Sequence, residues 1–455
     1  MPEAVKRRYS RLAWVALACL VVPMFASYFF DDMFSTISYL FEEPSRTALG
    51  WDAAGYGLYT SGYSVLCVFG GLVVCGILLD KWGVRITGSI FVGMMAAGAL
   101  LVLHAITAGY APAKSLRLAY AGCMFFGLGS EIAGTAVTRS IAKWFREGPM
   151  ALAMGLQLAI ARLGTAVALV VAPRLVVENA GHVYSLAETA RPAVFGVGLM
   201  AAGLILWAIF VALDARYDKS HGASAEVAAE DPFKLSDVWK VLTNKNFWML
   251  GLLCVLFYSS IVAFKKFAGA ILIPRFGIPA ATAGWMVSML PFSTVIFAPL
   301  FGLLVDKRGK GTRWMILGSI LALIAHLLLA FAPAGVPFYG YLSMVFLGFG
   351  YSLVPAALWP SVPKIVPDKV LGTTYSLIYW VQNLGLLSFK WLAGVILGAA
   401  AVTSASGNAA ASASGPVRVE LMFVALCIAA VVIALLFARV SRRRPELRLD
   451  APSGK

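Results

Sequence analysis

Two ionisable side chains, Glu131 and Arg162, interrupt apolar segments of this 455-residue chain, each about a dozen residues from the start of its segment. At about 1.5 Å per helical residue, both would lie roughly 20 Å into a helix. Such residues are rare in a membrane and usually face a cavity. A guanidinium binds a carboxylate through two parallel hydrogen bonds, and a carboxylate accepts an ammonium. The pair therefore suits a small zwitterion, and a salt bridge that merely pins two helices is the alternative.

The internal repeat described below favours the zwitterion interpretation. The positions equivalent to the pair in the second half are Ser352 and Asn383, both neutral, so packing alone does not demand a charged pair. Aromatic side chains nearby in the second half would suit substrates of varied shape, although ordinary helix packing explains each one singly. The second-half candidates for substrate binding are Tyr351, Ser352, Trp359, Tyr379 and Asn383.

The composition requires these residues to be positioned by membrane-spanning helices. Sixty per cent of residues are hydrophobic, 13% are charged, and the mean hydropathy is +0.83. A soluble domain has about 25% charged residues. Apolar runs long enough to span a bilayer are predicted at 12–32, 54–79, 86–107, 118–142, 150–174, 192–213, 247–273, 281–304, 313–333, 336–358, 370–398 and 418–438.

The net charge of +15 is a topology signal, since most of the 37 Lys and Arg residues fall on the side shared by both termini. Both termini are therefore expected in the cytoplasm. No basic-aromatic module for nucleic acid is present. The lack of an Asn-x-Ser/Thr acceptor fits a bacterial inner (plasma) membrane.

The two halves of the chain repeat one another. Gly76-x₃-Asp80-Lys81-x-Gly83-x-Arg85 follows span two, and Gly302-x₃-Asp306-Lys307-x-Gly309-Lys310 follows span eight. His104, Gly129 and Arg162 are matched by His326, Gly350 and Asn383 at a nearly constant offset. The predicted fold is an all-α membrane protein of twelve transmembrane helices in two pseudo-symmetric six-helix bundles. We expect bundles at 1–213 and 247–440, a cytoplasmic linker at 214–246 and a cytoplasmic tail at 441–455.

The duplicated loop resembles the signature of the major facilitator superfamily. Over most of its length the chain is similar to the lysosomal dipeptide transporter group and its bacterial relatives. The most specific stretches are 129–145, 155–164, 301–307, 357–360, 366–367, 371–373 and 382–385. In that group a Glu on helix four and an Arg on helix five hold the ends of a dipeptide, and Glu131 and Arg162 match them. Arg139, Lys265, Lys266 and Lys390 depart from the group.

The resemblance implies gates on both sides of the site. Helices one and seven meet at the outer gate, which predicts a bridge from Asp31 or Asp32 to Lys265 or Lys266; snorkelling to the headgroups is the alternative. Lys390 would add positive potential to the outer vestibule or snorkel. The cytoplasmic gate is expected to include Arg139, Asp80, Lys81, Arg85, Asp306 and Lys307.

The predicted function is secondary or facilitative transport of dipeptides or similar zwitterions by alternating access, as uniport or coupled to protons. An organic anion transporter is the first alternative, and a non-transporting accessory subunit is the second. No enzyme is expected, since the chain has neither a P-loop nor a nucleophile–His–acid set. The six cysteines lie in apolar spans without a CxxC pair, so neither metal nor cofactor is expected. The expected partners are substrate, protons and lipid, without nucleic acid, for a monomer.

Overall fold

The computed structural model describes residues 3–145, 149–177, 179, 181–221, 235–366, 370–405 and 409–452. Those residues are almost entirely helical. The first half contains α1 (Glu3–Asp32), α2 (Ala53–Leu66), α3 (Leu72–Thr107), α4 (Pro112–Trp144), α5 (Met150–Leu175) and α6 (Leu186–His221). The second half contains α7 (Leu235–Leu242), α8 (Lys245–Lys266), α9 (Ala268–Phe276), α10 (Ala280–Arg308), α11 (Gly311–Phe331), α12 (Pro337–Leu358), α13 (Leu371–Ala405) and α14 (Ala409–Arg443).

Ten helices in the described residues are apolar and long enough to cross a membrane. The two other predicted spans are also helical but less apolar. Helix α4 carries both Glu131 and Arg139, yet its 33 residues would reach about 50 Å, more than the roughly 30 Å hydrocarbon core. The second crossing is α2 followed through Cys67–Gly71 into the first residues of α3. The fold is therefore the predicted one of two six-helix bundles.

The signature loops have a backbone reason for their glycines. Gly83, at the turn between the second and third crossings, has a φ of +72°, and Gly309, between α10 and α11, has a φ of +60°. This region is costly for a residue with a Cβ but open to glycine. The repeat in sequence is thus a repeat in turn geometry, at the face where α1 begins and α14 ends. We call this the terminal face, and the other side the opposite face.

The second crossing is kinked near its middle. Phe69 and Gly70 leave helical geometry, with Gly70 at a φ of +95°. The indole Nε1 of Trp380 on α13 donates a 2.7 Å hydrogen bond to the Val68 carbonyl next to the kink. A backbone carbonyl at membrane depth needs such a partner, because lipid offers none.

The two halves are held together mainly through α2 against α13 and α5 against α10. Glycines allow the backbones to touch: a Cβ added to Gly57 would lie 2.8 Å from Gly394, and one on Gly284 would lie 2.3 Å from the Leu169 carbonyl oxygen. Small residues at helix contacts permit this close packing in membranes. These contacts are concentrated towards the opposite face.

Two predicted boundaries differ from the structure. Helix α6 runs to His221, past the boundary expected at 213, so that the linker's first residues are helical. Helix α14 begins at Ala409, so that 409–417, ahead of the span predicted at 418–438, is helical. That stretch is rich in alanine, the strongest helix former. The rest of the linker, 222–234, lies outside the described residues, and α7 begins just after it.

Candidate functional site

A cavity of about 1880 Å³ lies between the two bundles. Its lining comes from both halves and includes Glu131 and Arg162 from the first half and Tyr351, Trp359 and Asn383 from the second. It extends to residues at the terminal face, such as Arg85, Lys143, Asp214 and Asp218. The cavity is therefore open towards the terminal face and closed towards the opposite one.

The carboxylate of Glu131 is hydrogen-bonded by a residue of α2 and not by Arg162 of α5. The Tyr63 hydroxyl donates a 3.1 Å hydrogen bond to its Oε1. The same hydroxyl lies 3.2 Å from the Ser130 Oγ, which is 2.5 Å from the Ser27 Oγ on α1. Three helices thus hold the carboxylate in place, while its side chain remains at the cavity wall.

Arg162 is held by an aromatic side chain of the other half. Its Nη1 donates a 2.7 Å hydrogen bond to the Tyr351 hydroxyl, and the guanidinium carbon lies 5.0 Å from the centre of that ring. The Nε of Arg162 is buried and has no hydrogen-bond partner in the described structure. An unmet donor on a buried cation is costly. The guanidinium therefore retains an edge that can bind an acceptor.

Glu131 and Arg162 form no salt bridge with each other in the described residues, so the two helices are not pinned in the way the alternative interpretation required. Tyr28 of α1 lines the same cavity. Glu131 and Arg162 thus line one cavity, and each is hydrogen-bonded to a tyrosine hydroxyl, that of Tyr63 and that of Tyr351 respectively.

The second-half candidates divide into two groups. Trp359 and Tyr379 stack with ring centres 5.1 Å apart at 26°, and both line the cavity. Asn383 also lines it; its amide nitrogen donates to the Tyr379 carbonyl, and its Oδ1 is buried without a partner in the described structure. Ser352 is not part of the lining, since its hydroxyl donates to the Gly348 carbonyl of its own helix.

Four charged residues form one cluster at the closed end of the cavity. The ammonium of Lys265 lies 2.6 Å from Asp32, and that of Lys266 lies 2.7 Å from Asp31 and 2.9 Å from Asp32. Asp32 also accepts a 2.8 Å hydrogen bond from Thr165 on α5. The predicted pairing between α1 and α8 is present in the structure, although the role of these residues as a gate stays a prediction.

The backbone next to this cluster joins the halves as well. The Tyr56 hydroxyl donates a 3.0 Å hydrogen bond to the carbonyl of Lys266, and a Cβ on Gly269 would lie 2.3 Å from the Thr36 carbonyl oxygen. Charge pairs, a hydrogen bond and backbone contact thus coincide on the opposite face.

The terminal face carries a second charge cluster that sequence reasoning missed. Asp214 accepts from Lys143 at 3.0 Å and from the Trp144 indole at 2.8 Å. Asp218 pairs with Lys143 at 2.6 Å and with Arg85 at 3.1 Å. The sequence predicts both aspartates in the linker, because the helical continuation of α6 has no apolar signal.

The other predicted gating residues also lie near the terminal face. Lys81, Asp306 and Lys307 are exposed, and Arg139 lines the cavity. The Asp80 side chain lies outside what the structure describes. Arg85 is paired with Asp218 of the same half, and its role at the gate stays a prediction.

Lys390 on α13 lines the cavity and is only 2% exposed, so it neither snorkels nor faces a vestibule on the opposite side. Its ammonium lies 5.4 Å from the centre of the Tyr63 ring. No carboxylate forms an ion pair with it in the described residues.

His326 and Glu420 form a second buried site that the sequence did not reveal. The Nδ1 of His326 on α11 lies 2.8 Å from Glu420 on α14, and both are fully buried within the second bundle. Glu420 stands near the start of an apolar segment, which is the signal that would have found it. The equivalent histidine of the first half, His104, lies 3.1 Å from the Tyr110 hydroxyl and is exposed.

Comparison with known proteins agrees with this architecture. The model of the Major Facilitator Superfamily matches residues 22–389 and 276–455. The lysosomal dipeptide transporter MFSD1 of Danio rerio is 30% identical over 405 residues, covering 87% of this chain and 80% of the relative. MFSD1 of Homo sapiens is 29% identical over 351 residues, covering 75% and 70%.

Solved structures show the same fold at low sequence identity. The nucleoside transporter NupG superposes with a TM-score of 0.66 at 14% identity, covering 93% of this chain and 98% of the other. The inward-open xylose transporter XylE from E. coli gives 0.67 at 13% identity, covering 95% and 96%.

Proposed function

Because the chain belongs to the Major Facilitator Superfamily, and is thus a transporter of small molecules in a membrane, we propose that it carries dipeptides. Support comes from one observation above all. Two opposite charges, Glu131 and Arg162, face one cavity without neutralising each other. The proteins about 30% identical to it are named dipeptide transporters.

A dipeptide carries charged and polar groups that match the donors and acceptors of the cavity wall. Its carboxylate can accept from the unpartnered Nε of Arg162 and from the adjacent Nη2, the two-bond geometry that guanidinium favours, while Nη1 keeps its bond to the Tyr351 hydroxyl. Its ammonium can donate to Glu131, and its peptide N–H to the Oδ1 of Asn383, which has no partner in the described structure. The Trp359–Tyr379 stack supplies apolar surface to side chains of different size.

Transport in this proposal alternates between two arrangements of the bundles around the site. The structure is open at the terminal face, which the charge asymmetry of the sequence assigns to the cytoplasm. The cluster of Asp31, Asp32, Lys265 and Lys266 closes the other side. Opening that side requires α1 and α8 to part, which exposes the four charges to water at the moment their pairs separate.

Substituting Glu131 with Gln is expected to lower dipeptide uptake about tenfold to a hundredfold, since a charge-assisted hydrogen bond to the ammonium becomes a neutral one. Counterflow of labelled Ala-Ala in liposomes measures this. Glu188→Gln is the matched control, because Glu188 lies in the Ser185–Glu188 cap of α6 and outside the cavity. Uptake unchanged in Glu131→Gln would contradict the assignment.

Transport of organic anions is the second candidate, favoured by the cations Arg162 and Lys390, which lack carboxylate partners in the described cavity. It differs from the first in one respect, the need for an ammonium. If succinate displaces labelled Ala-Ala better than dipeptides do, or if only dicarboxylates stabilise the purified protein, the dipeptide proposal fails.

A further inference from the structure

Among the described residues near Glu131, Lys390 is the cavity charge that the binding of a simple dipeptide does not neutralise. Its side chain is buried at the cavity wall and directed towards Tyr63. Its own backbone is fixed, because its carbonyl oxygen lies at the contact between α13 and Gly57 of α2. Helix α13 therefore cannot move the lysine out of the cavity without opening the packing of the two halves.

The charges around it are already matched. Asp31 and Asp32 are paired with Lys265 and Lys266 at the opposite face. At the terminal face the carboxylates of Asp214 and Asp218 are paired with Arg85 and Lys143. Arg139 is two turns of α4 nearer to that face than Glu131, about 12 Å away by helical rise.

Apart from Arg139 and the ion-paired charges at its two ends, the described lining of the cavity holds Glu131, Arg162 and Lys390, with one more positive charge than negative. A zwitterion neutralises the first two and leaves Lys390 buried without a counter-charge. An unpaired cation in a low-dielectric site is costly, and a carboxylate beside it restores balance. The substrate that balances this site is a dipeptide with one additional carboxylate.

The position of Lys390 indicates which residue of the dipeptide carries that carboxylate. Tyr63 is contacted from both sides: its ring faces the Lys390 ammonium at 5.4 Å, and its hydroxyl donates to Glu131 at 3.1 Å. Arg162 is held by Tyr351 instead. The lysine is thus next to the ammonium site.

We propose that Lys390 is a side-chain subsite for a carboxylate, and that the transporter favours dipeptides whose first residue is acidic. The proposal rests on the proposed dipeptide function and deepens it. The ammonium of lysine acts as a mobile point charge, so the subsite accommodates both aspartate and glutamate side chains.

Competition against labelled Ala-Ala in counterflow tests this with four dipeptides: Asp-Ala, Asn-Ala, Ala-Asp and Ala-Ala. The wild type is expected to bind Asp-Ala about tenfold more tightly than the isosteric Asn-Ala, the worth of one charge-assisted hydrogen bond. Relative to Ala-Ala, Ala-Asp is expected to gain less affinity than Asp-Ala does. In Lys390→Met the Asp-Ala to Asn-Ala ratio falls to about one, whereas Lys245→Met, at an exposed lysine outside the cavity, keeps the wild-type ratio.

Each failure is recognisable. If Ala-Ala is carried but Asp-Ala is no better than Asn-Ala, or if Lys390→Met weakens every dipeptide by the same factor, the subsite is refuted and dipeptide transport stands. In the second case the lysine only sets the potential of the cavity. If Ala-Asp gains as much affinity over Ala-Ala as Asp-Ala does, the placement of the Lys390 subsite beside the ammonium of the dipeptide is refuted. If no dipeptide competes or is carried, both the subsite and the proposed function are refuted.

Discussion

Arg162→Ala is expected to lower kcat/KM for dipeptide uptake by about a hundredfold or more, which corresponds to about 3 kcal/mol. The guanidinium can bind a carboxylate through its Nε–Nη2 edge, because its Nε has no partner in the described structure and its Nη1 engages only a neutral tyrosine. Its loss also leaves Glu131 with no opposite charge from α5 in the same cavity. Counterflow of Ala-Ala at several concentrations measures the change.

Two further variants show what kind of interaction is lost. Arg162→Lys keeps the charge but removes the two parallel N–H donors of the guanidinium. Most of the loss of uptake should therefore remain, since lysine cannot donate two parallel bonds. Arg174→Ala removes an arginine from the same helix that lies over Trp285 outside the cavity, and its uptake should stay close to wild type. Uptake by Arg162→Ala within about threefold of wild type would eliminate the carboxylate site.

The second large effect is expected at Asp32. This carboxylate is 1% exposed and contacts two lysines and Thr165. Asp32→Asn leaves two buried cations with Asp31 alone, and breaking such a pair typically costs about 3–5 kcal/mol. This loss destabilises the conformation that is closed at the opposite face, because the ion pairs are formed in that conformation. The variant is therefore expected to melt at lower temperature and to open at that face more often.

A single reporter cysteine introduced as Thr36→Cys measures this opening by its rate of thiol labelling in a background without other cysteines, because Thr36 packs against Gly269 in the closed arrangement. Labelling should be several-fold faster in Asp32→Asn. The double variant Asp32→Asn with Lys265→Met restores the charge balance and should recover slower labelling and part of the melting temperature. If Asp32→Asn labels at the wild-type rate and melts normally, the cluster is not a gate.

These two effects act on different parts of one cycle. Arg162 and Glu131 face the cavity, where a substrate can reach them from the terminal face. Asp32 and its lysines lie at the closed end of the cavity, where they hold α1 against α8. A variant at the first site should change affinity, and a variant at the second should change the population of conformations. Binding measured in the absence of transport separates the two.

Much of this was readable from the sequence. Hydropathy predicts the number of crossings because a bilayer demands long apolar helices, and the positive-charge asymmetry predicts their orientation. The repeated signature loops follow from a turn that only glycine makes easily, at Gly83 and Gly309. Glu131 and Arg162 stand out because an ionisable residue in an apolar segment requires a reason.

Only the tertiary structure decided what these charges touch. The sequence allowed Glu131 and Arg162 to pair, and folding instead gives each a tyrosine from another helix, Tyr63 and Tyr351. Helical spacing states where a residue lies along its own helix, but not which helix packs against it. For that reason the sequence did not predict that the Ser352 hydroxyl donates to the Gly348 carbonyl of its own helix. Nor did it predict that Asp214 pairs with Lys143 of α4. Likewise Lys390, ambiguous in the sequence, is placed by the packing of α13 on α2 in the cavity that Glu131 and Arg162 share.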